Sequence, residues 1–448
     1  MILPLKHRPR RSVGANAVDS ITAALGSGLV ARALAILPTF IAPPIGISLL
    51  GEAGFGAVLA LLALATWMNL GAFGLHSALG QVIASDRPNR DRLRQLLGSA
   101  LICSTVFTAG ATAVLTWAIH LWVGGVPLPA DVSRAQLYVA ALVLAGLGSL
   151  TVFLQIFEGV NIGILRQVVT NLCRAAGSLI ALGTLAVLPW LAPQPATFVA
   201  AIMGGQLAGA LLLATLVIRT YPPSFSITRA DLKDLMRLAG GGASFFVIQI
   251  ASLVQSQSPV IFLSAAVGPA AALDLGLVLR LLVAFVTVLS MVSSTTWPAI
   301  ARLIAEREHR RARVIACWLG AFALSAGGVA AAVLMMFGDD ILQLWTGRRP
   351  TGSPLFFALC GLFFAQVAWA HFWAVLLIAC RHTRLVALLF GIEASIMMFS
   401  AWSGSRLGPE ATIFGLVSAA ALTSSWLLPA FAHRIIRQSL WASDESSK

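Results

Sequence analysis

The chain has 448 residues, of which 58% are hydrophobic and 10% are charged, and its formal net charge at pH 7 is +13. This composition excludes an ordinary globular domain and is typical of an integral membrane protein. The positive charge lies in short segments between apolar stretches, so no separate basic domain is left that could bind nucleic acid.

Twelve apolar stretches are long enough to cross a bilayer, whose core of about 30 Å needs about 20 helical residues. The first six predicted spans are 27–49, 56–79, 97–121, 136–157, 167–190 and 196–218. The second six are 240–265, 271–294, 314–337, 354–379, 385–404 and 410–432. The first span is longer than the apolar region of a signal peptide, so we expect it to be retained.

The basic residues predict the orientation of these spans. Of the 30 Lys and Arg residues, 24 fall on the side that holds both termini. Arg174 is one of these 24. Four lie on the other side and two within spans: Arg134, Arg348, Arg349 and Arg406, then Arg32 and Arg280. Because positive residues accumulate on the cytoplasmic side, both termini are predicted to be cytoplasmic.

The order of the spans predicts an all-α polytopic membrane protein built from two six-helix parallel repeats. Its predicted parts are a basic cytoplasmic N-terminus (1–26), an N-lobe (27–218), a cytoplasmic connector (219–238), a C-lobe (239–432) and a cytoplasmic C-terminal tail (433–448). An even number of spans in each lobe gives both lobes the same orientation. The connector carries a capping-box pattern from Thr228 to Asp231 and is predicted to form an amphipathic helix at the inner interface.

Several short motifs resemble a known family. Leu49 to Gly56 (Leu-Leu-Gly-Glu-Ala-Gly-Phe-Gly), Gly74 to Leu79, Trp297 to Ala301 and Ile341 to Gly347 are similar to landmarks of bacterial polysaccharide transporters at the same topological places. These transporters are the lipid-linked oligosaccharide flippases of the multidrug, oligosaccharidyl-lipid and polysaccharide exporter superfamily. The resemblance covers most of the chain between Arg32 and Arg437.

The resemblance implies a V-shaped central cavity between the lobes and transport by alternating access. The implied function is to translocate polyprenyl-diphosphate-linked oligosaccharide repeat units across the bacterial inner membrane, for O-antigen, capsule or exopolysaccharide assembly. The implied partners are the anionic lipid-linked oligosaccharide and the lipid bilayer, with polysaccharide polymerase and chain-length proteins as further candidates.

Arg280 and Arg32 are the candidate contacts for the anionic substrate. Arg280 lies deep in the eighth predicted span, where an unpaired charge is costly, so it either lines a cavity or forms an ion pair, for which Asp274 and Glu393 are candidates. Arg32 lies nearer the inner end of the first span and could also reach the interface. Both resemble cavity arginines of related lipid II flippases, and arginine can grip phosphate with two hydrogen bonds.

Polar residues in the seventh span form a second candidate contact. Gln249 and Ser252 recur at helical spacing, with Gln255 nearby, which predicts a face that either contacts sugar or makes interhelical hydrogen bonds. Glu393, near the middle of the eleventh span, is the candidate for coupling to a proton or cation. In the tenth span Trp369, His371 and Trp373 could stack on a sugar or anchor the helix at the membrane surface.

We expect no enzymatic activity, cofactor or metal site. No nucleotide-binding or hydrolase motif occurs, and the five cysteines are scattered singly. The largest outer connection is predicted to run from Gly338 to Pro354, too short for the external domain that a membrane glycosyltransferase or polymerase would use. A drug or cation exporter of the same superfamily stays open as an alternative, although arginines in the cavity disfavour cationic substrates.

Overall fold

The protein is a bundle of long helices, as seen in a computed structural model. The structure describes residues 13–72, 74–86, 88–130, 132–164, 166–190, 194–224, 243–306 and 308–436, and it describes no side chain before residue 33. Within these residues all regular elements are helical and none is a strand. The predicted all-α polytopic fold is confirmed. The predicted connector helix lies outside the described residues.

The first two spans are joined at a sharp bend. Helix runs from Val13 to Thr66, but Gly51 inside it has φ 71° and ψ 174°, which no helical residue adopts. By length and composition eleven stretches could cross a membrane, and the first of them covers 45 residues from Ile36 to Gly80. At 1.5 Å per residue such a stretch is about twice as long as a bilayer core is thick, so it counts as two spans. Counting the first stretch as two spans turns the eleven stretches into twelve spans, which is the predicted number.

The helices are assigned to the numbered spans in chain order. Spans 1 and 2 are the two arms that meet at Gly51, and span 2 continues through a 3-10 turn at Trp67–Ala72 into Leu75–Asp86. Spans 3 to 6 are Arg90–Gly125, Arg134–Leu154 with Ile156–Gly163, Gln167–Val187 and Pro195–Thr220. Spans 7 to 12 are Ala243–Ala266, Pro269–Ala305, His309–Thr346, Pro354–Ala379, Thr383–Gly404 and Pro409–Leu422 with Ser424–Ile436.

Several helices extend beyond the predicted spans. The helix of span 1 begins at Val13, within the segment predicted as a cytoplasmic N-terminus. The helix of span 9 continues past Gly338 to Thr346, which shortens the outer connection to 347–353. A side chain at position 338 would come within 2.4 Å of Phe357, so glycine here permits close packing of spans 9 and 10 and does not end a helix.

Spans 1–6 form the N-lobe and spans 7–12 the C-lobe. The two lobes meet mainly where spans 1 and 2 contact spans 7 and 8. We call the end of the bundle that holds Gly51 and Gly268 the outer end, and the opposite end, which holds Arg90 and Arg302, the inner end, following the orientation predicted from the basic residues. Gly51 and Gly268 both have positive φ, 71° and 114°, and each lies in the turn between the first two spans of its lobe.

Candidate functional site

Three neighbouring cavities between and within the lobes share lining residues, and polar side chains lie on the largely apolar walls of each. The C-lobe cavity has a volume of about 620 Å³, the middle cavity about 340 Å³ and the N-lobe cavity about 280 Å³. Ser256 and Gln257 line both the C-lobe and the middle cavity. Thr39, Gln206 and Arg280 line both the middle and the N-lobe cavity. Arg280 therefore lies where the middle and N-lobe cavities meet.

Arg280 is positioned by span 8 at roughly 16 Å from the outer end of that helix, at 1.5 Å per residue. Its neighbours on the cavity wall, Gly276, Leu279 and Val283, are apolar. Among the described residues, no carboxylate forms a salt bridge with its guanidinium, so the ion-pair interpretation with Asp274 or Glu393 is wrong.

Asp274 has other partners, which explains why it does not reach Arg280. It accepts hydrogen bonds from the Arg348 guanidinium, from the Thr351 backbone N–H at 2.7 Å and hydroxyl at 2.9 Å, and from the Gly352 N–H at 3.2 Å. It lies six residues before Arg280, which at 100° per residue puts the two side chains on different sides of the helix.

Two of the polar residues predicted in span 7 line the C-lobe cavity. Ser252 and Gln255 lie on its wall together with Ser256 and Gln257. Part of their hydrogen-bonding capacity is used locally, since the Ser256 hydroxyl donates to the Ser252 carbonyl at 2.8 Å and the Gln257 amide donates to the Ser256 hydroxyl at 3.1 Å. Gln249 is exposed nearer the inner end and is not among the lining residues, so its contact with substrate stays a prediction.

The C-lobe cavity also contains three polar residues that sequence reasoning missed. Thr287 and Ser290 come from span 8, and Gln366 comes from span 10. His371 of span 10, which the sequence does single out, lines the same cavity. The Gln366 amide donates to the Val417 carbonyl at 3.2 Å, which leaves its buried oxygen without a partner in the described structure. No local pattern marks the three missed residues, because they converge only when span 8 packs beside span 7 and span 10.

The predicted aromatic stacking residues pack inside the C-lobe. The Trp369 indole donates to the Ser425 carbonyl at 3.1 Å, and its ring meets the Trp373 ring edge to face at 5.3 Å between centroids. His371, which lies between them in sequence, turns toward the cavity and makes a hydrogen bond of 2.9 Å with Ser293. Both tryptophans therefore take part in the packing of the C-lobe, and their stacking on a sugar stays a prediction.

Glu393 lies on the wall of the C-lobe cavity beside a break in span 12. It is 5% exposed, and one of its carboxylate oxygens has no hydrogen-bond partner in the described structure. Its neighbours Thr423 and Ser424 lie where the helix is interrupted, with φ −120° and ψ −90° at Thr423. A carboxylate next to an interrupted helix can hold a proton or a cation, because unwound backbone carbonyls add further oxygen ligands.

The N-lobe cavity holds a second arginine that the sequence placed among the inside residues. Arg174 lies within the helix of span 5 and lines the cavity together with Glu158 and Arg280. Its Nε donates to Glu158 at 3.1 Å, and its Nη2 donates to the other carboxylate oxygen. Gln155 lines the same cavity and donates to Asn69 at 3.1 Å. Arg32 belongs to span 1, but its side chain is outside the described ones.

Three contacts join the two lobes toward the outer end, and we call them the outer latch. The Trp345 indole donates to the Phe40 carbonyl at 2.6 Å, and the Trp122 indole donates to the Ser264 hydroxyl at 3.1 Å. The Arg348 guanidinium lies 3.4 Å from the Glu52 carboxylate. The backbone packs closely at the same end, since a side chain at Gly56 would come within 2.2 Å of the Pro269 carbonyl.

The described residues contain no group of three or more His, Cys, Asp or Glu side chains that could hold a metal ion. The cavities instead offer guanidinium, amide and hydroxyl groups, with Glu393 as the carboxylate of the C-lobe cavity. Such a set can bind an anion and hydroxyl-rich groups by hydrogen bonding.

Residues 23–304, more than half of the chain, match the family of polysaccharide biosynthesis proteins. No curated protein matches the chain. The fold is similar to that of an inward-facing multidrug resistance transporter of the MATE family in the MOP superfamily, with a TM-score of 0.67 at 14% identity, covering 94% of this chain and 99% of the other.

Two further structures share the fold. The lipid II flippase MurJ in an inward closed conformation has a TM-score of 0.68 at 12% identity, with 92% of this chain and 87% of the other covered. A MOP superfamily transporter from Pyrococcus furiosus has a TM-score of 0.60 at 15% identity, with 96% and 99% covered.

Proposed function

Because the chain belongs to the polysaccharide biosynthesis protein family and has the fold of MOP superfamily transporters, we propose that it is a flippase for a polyprenyl-diphosphate-linked oligosaccharide. It carries the repeat unit from the cytoplasmic to the periplasmic leaflet of the bacterial inner membrane. The product serves O-antigen, capsule or exopolysaccharide assembly, and both termini of the transporter are cytoplasmic.

Arg280 is the observation that carries this proposal. A guanidinium at mid-membrane depth is costly unless a partner or water compensates it, and no described carboxylate does so. Its place on the shared wall of the middle and N-lobe cavities supports a role for this charge in transport. A diphosphate is the part of the substrate that arginine binds best, through parallel hydrogen bonds. Arg32 is proposed as a second contact on span 1.

The C-lobe cavity is proposed to receive the sugars. Its volume of about 620 Å³ is within the usual range for ligand sites, and Ser252 and Gln255 provide neutral donors and acceptors for sugar hydroxyls. Gln249 lies nearer the inner end of the same span and is proposed as an entry contact. The cavities then divide the work: Arg280 provides positive charge where the middle and N-lobe cavities meet, and the C-lobe cavity provides neutral polar groups beside Glu393.

Alternating access is proposed to proceed through opening of the outer latch. With Glu52, Trp122 and Trp345 engaged across the lobes, the outer end is closed, which supports a state that loads substrate from the inner side. A few such contacts can be broken and remade during each cycle, since each contributes modestly.

Glu393 is proposed to couple the cycle to an ion gradient. It would gain and lose a proton or cation at the break in span 12, whose two halves could move relative to each other. Each elementary charge that crosses a potential of 100 mV contributes about 2.3 kcal/mol, enough to bias two states that differ by a few kcal/mol.

A cation exporter of the same superfamily is the second candidate, and Glu393 is the feature that favours it. Arg280 opposes it, because a cationic substrate in the same cavities would meet an uncompensated positive charge. We do not expect enzymatic activity. Polysaccharide polymerase and chain-length proteins are the proposed partners, since they would use the exported repeat unit.

Disruption of the gene in its host tests the function. Surface glycan should be lost and lipid-linked oligosaccharide should accumulate at the inner leaflet. The wild-type gene should restore export, whereas Arg280→Ala should not, although the protein still inserts. Arg310→Ala, at an exposed position of the inner end, is the matched control and should restore export fully. Normal surface glycan in the disruptant would contradict the proposal.

A further inference from the structure

The N-lobe cavity brings a second guanidinium close to the one that carries the proposed function. Arg174 lies seven residues into the helix Gln167–Val187, roughly 10 Å from its inner end at 1.5 Å per residue. Arg280 approaches the same cavity from span 8, at the boundary with the middle cavity. One space of about 280 Å³ therefore has guanidinium groups from both lobes on its wall.

The pairing of Arg174 is asymmetric. The side chain of Glu158 is 15% exposed, whereas that of Arg174 is 55% exposed. Two N–H groups of Arg174, on Nε and Nη2, donate to the Glu158 carboxylate. A guanidinium has five N–H donors, so three remain for another acceptor. The carboxylate is mostly enclosed by protein, while the guanidinium is open to the cavity.

Glu158 is fixed in place by the packing of its helix. The next residue, Gly159, lies against the backbone of span 2, where an added side chain would come within 2.2 Å of the His76 carbonyl. The His76 ring is close enough to interact electrostatically with both Glu158 and Arg174. The backbone beside Glu158 is therefore closely packed and its carboxylate is largely enclosed, whereas the longer Arg174 side chain is more than half exposed.

We propose that Arg174 is a second anion contact of the transported molecule. It pairs with Glu158 while the cavity is empty, and it turns to an anionic group of the lipid-linked glycan when the substrate enters from the inner side. In the empty cavity, the negative charge of Glu158 thus compensates the positive charge of Arg174. When the substrate binds, its anionic group replaces Glu158 as the partner of Arg174. This inference rests on the proposed flippase function.

The chemistry of the ligand follows from the two guanidinium groups. Arg280 and Arg174 together suit a molecule with at least two negative charges that are separated along the cavity. The second anionic group is either the other phosphoryl group of the diphosphate or a carboxylate on an acidic sugar, and both accept two hydrogen bonds from arginine.

Binding of three probes to the purified full-length protein tests the proposal. The probes are farnesyl diphosphate, farnesyl diphosphate linked to a neutral disaccharide, and the same conjugate with a terminal glucuronate. Arg174→Gln should weaken binding about ten-fold or more for every probe whose anion it contacts, as expected for a hydrogen bond to a charged group. Glu158→Gln should tighten the same probes about two- to five-fold, since a competing partner of modest strength is removed.

The opposite signs of these two effects are the signature of partner exchange. Weakening that already appears with farnesyl diphosphate identifies the diphosphate as the group, and weakening confined to the glucuronate probe identifies the sugar acid. The matched control is the Arg302–Glu306 pair, 2.7 Å apart on the inner surface, where Arg302→Gln and Glu306→Gln should change no affinity. Arg174→Lys, which keeps the charge, should weaken binding less than Arg174→Gln.

The proposal is overturned if Arg174→Gln changes all three affinities by less than two-fold, or if Glu158→Gln weakens binding as much as Arg174→Gln does. The second result is what a purely structural pair would give. Arg280→Gln separates this inference from the function on which it rests. If Arg280→Gln binds farnesyl diphosphate as tightly as wild type, the proposed role of Arg280 fails, independently of the results with Glu158→Gln and Arg174→Gln.

Discussion

The outer latch makes a quantitative prediction about which side of the cavity is open. Trp122→Phe and Trp345→Phe each remove one indole N–H that crosses between the lobes but keep an aromatic ring, and Glu52→Gln removes the ion pair with Arg348. Each of these contacts joins the N-lobe to the C-lobe at the outer end. The triple variant should therefore lower the stability of the outer-closed state relative to the outer-open state.

The size of the shift follows from the geometry. Each lost hydrogen bond contributes about 0.5–1.5 kcal/mol net. The ion pair, at 3.4 Å with the Glu52 side chain 46% exposed, contributes about 0–1 kcal/mol because solvent screens it. The triple variant should lose about 1–4 kcal/mol, which changes the ratio of the two states by about five-fold to several hundred-fold.

Cysteine accessibility measures this ratio. Ser256→Cys, in a chain whose five native cysteines are replaced by alanine, places a thiol on the wall shared by the C-lobe and middle cavities. In membranes, an impermeant maleimide should label it from the inner side in the parent protein. Labelling from the outer side should become at least five-fold faster in the triple variant. Trp369→Phe, which removes an indole hydrogen bond inside the C-lobe, is the control and should change neither rate.

The reasoning would be refuted if the triple variant were as protected from the outer side as the parent. It would also be refuted if the parent were labelled from the outer side and protected from the inner side, because the three contacts would then not mark a closed outer end.

Three further predictions concern individual residues. Arg280→Ala should abolish glycan export while the protein still inserts, and Arg280→Lys should restore only part of it, because an ammonium group cannot make the bidentate contact; full export by the alanine variant, scored as surface glycan, would show that the charge is idle. In vesicles, wild-type transport should slow when the proton or sodium gradient is collapsed, whereas Glu393→Gln should be slow and insensitive to the collapse; a wild-type rate and gradient response would exclude it as the coupling residue. Gly159→Val should force span 4 away from span 2, at a cost of about 1–3 kcal/mol, and so lower the melting temperature. The control Gly110→Val has no atom near its side-chain position and should change the melting temperature little. Equal shifts in melting temperature for the two variants would contradict the packing argument.

The membrane-spanning architecture could be predicted from the sequence because its physical cause is local. A run of about 20 apolar residues has few alternatives to crossing the bilayer, and the outer turns at Gly51 and Gly268 need a residue that tolerates positive φ. The ends of the helices could not be predicted as well. Span 9 continues through Asp339 and Asp340, which are unfavourable within a membrane but cost little where the helix extends beyond it.

The candidate site could be predicted only in part, because its walls come from distant segments. Ser252 and Gln255 form a polar face on one helix, so the sequence alone could predict that they line a cavity. Gln366 has no such signal, since it comes to the same cavity as span 7 only through the packing of the C-lobe. Arg174 was grouped with loop residues because a charge near the inner end of a span resembles an interfacial one. Its pairing with Glu158 depends on the contact between spans 4 and 5.

Transbilayer movement of the substrate by the purified protein tests the central claim most directly. Vesicles that contain the full-length chain would be loaded in one leaflet with a fluorescent polyprenyl-diphosphate-linked disaccharide, and a membrane-impermeant quencher would report its arrival in the other leaflet. The account predicts fast movement with the wild type, movement no faster than in protein-free vesicles with Arg280→Ala, and wild-type movement with the control Arg310→Ala. Wild-type vesicles that move the lipid no faster than protein-free ones would contradict the proposed function.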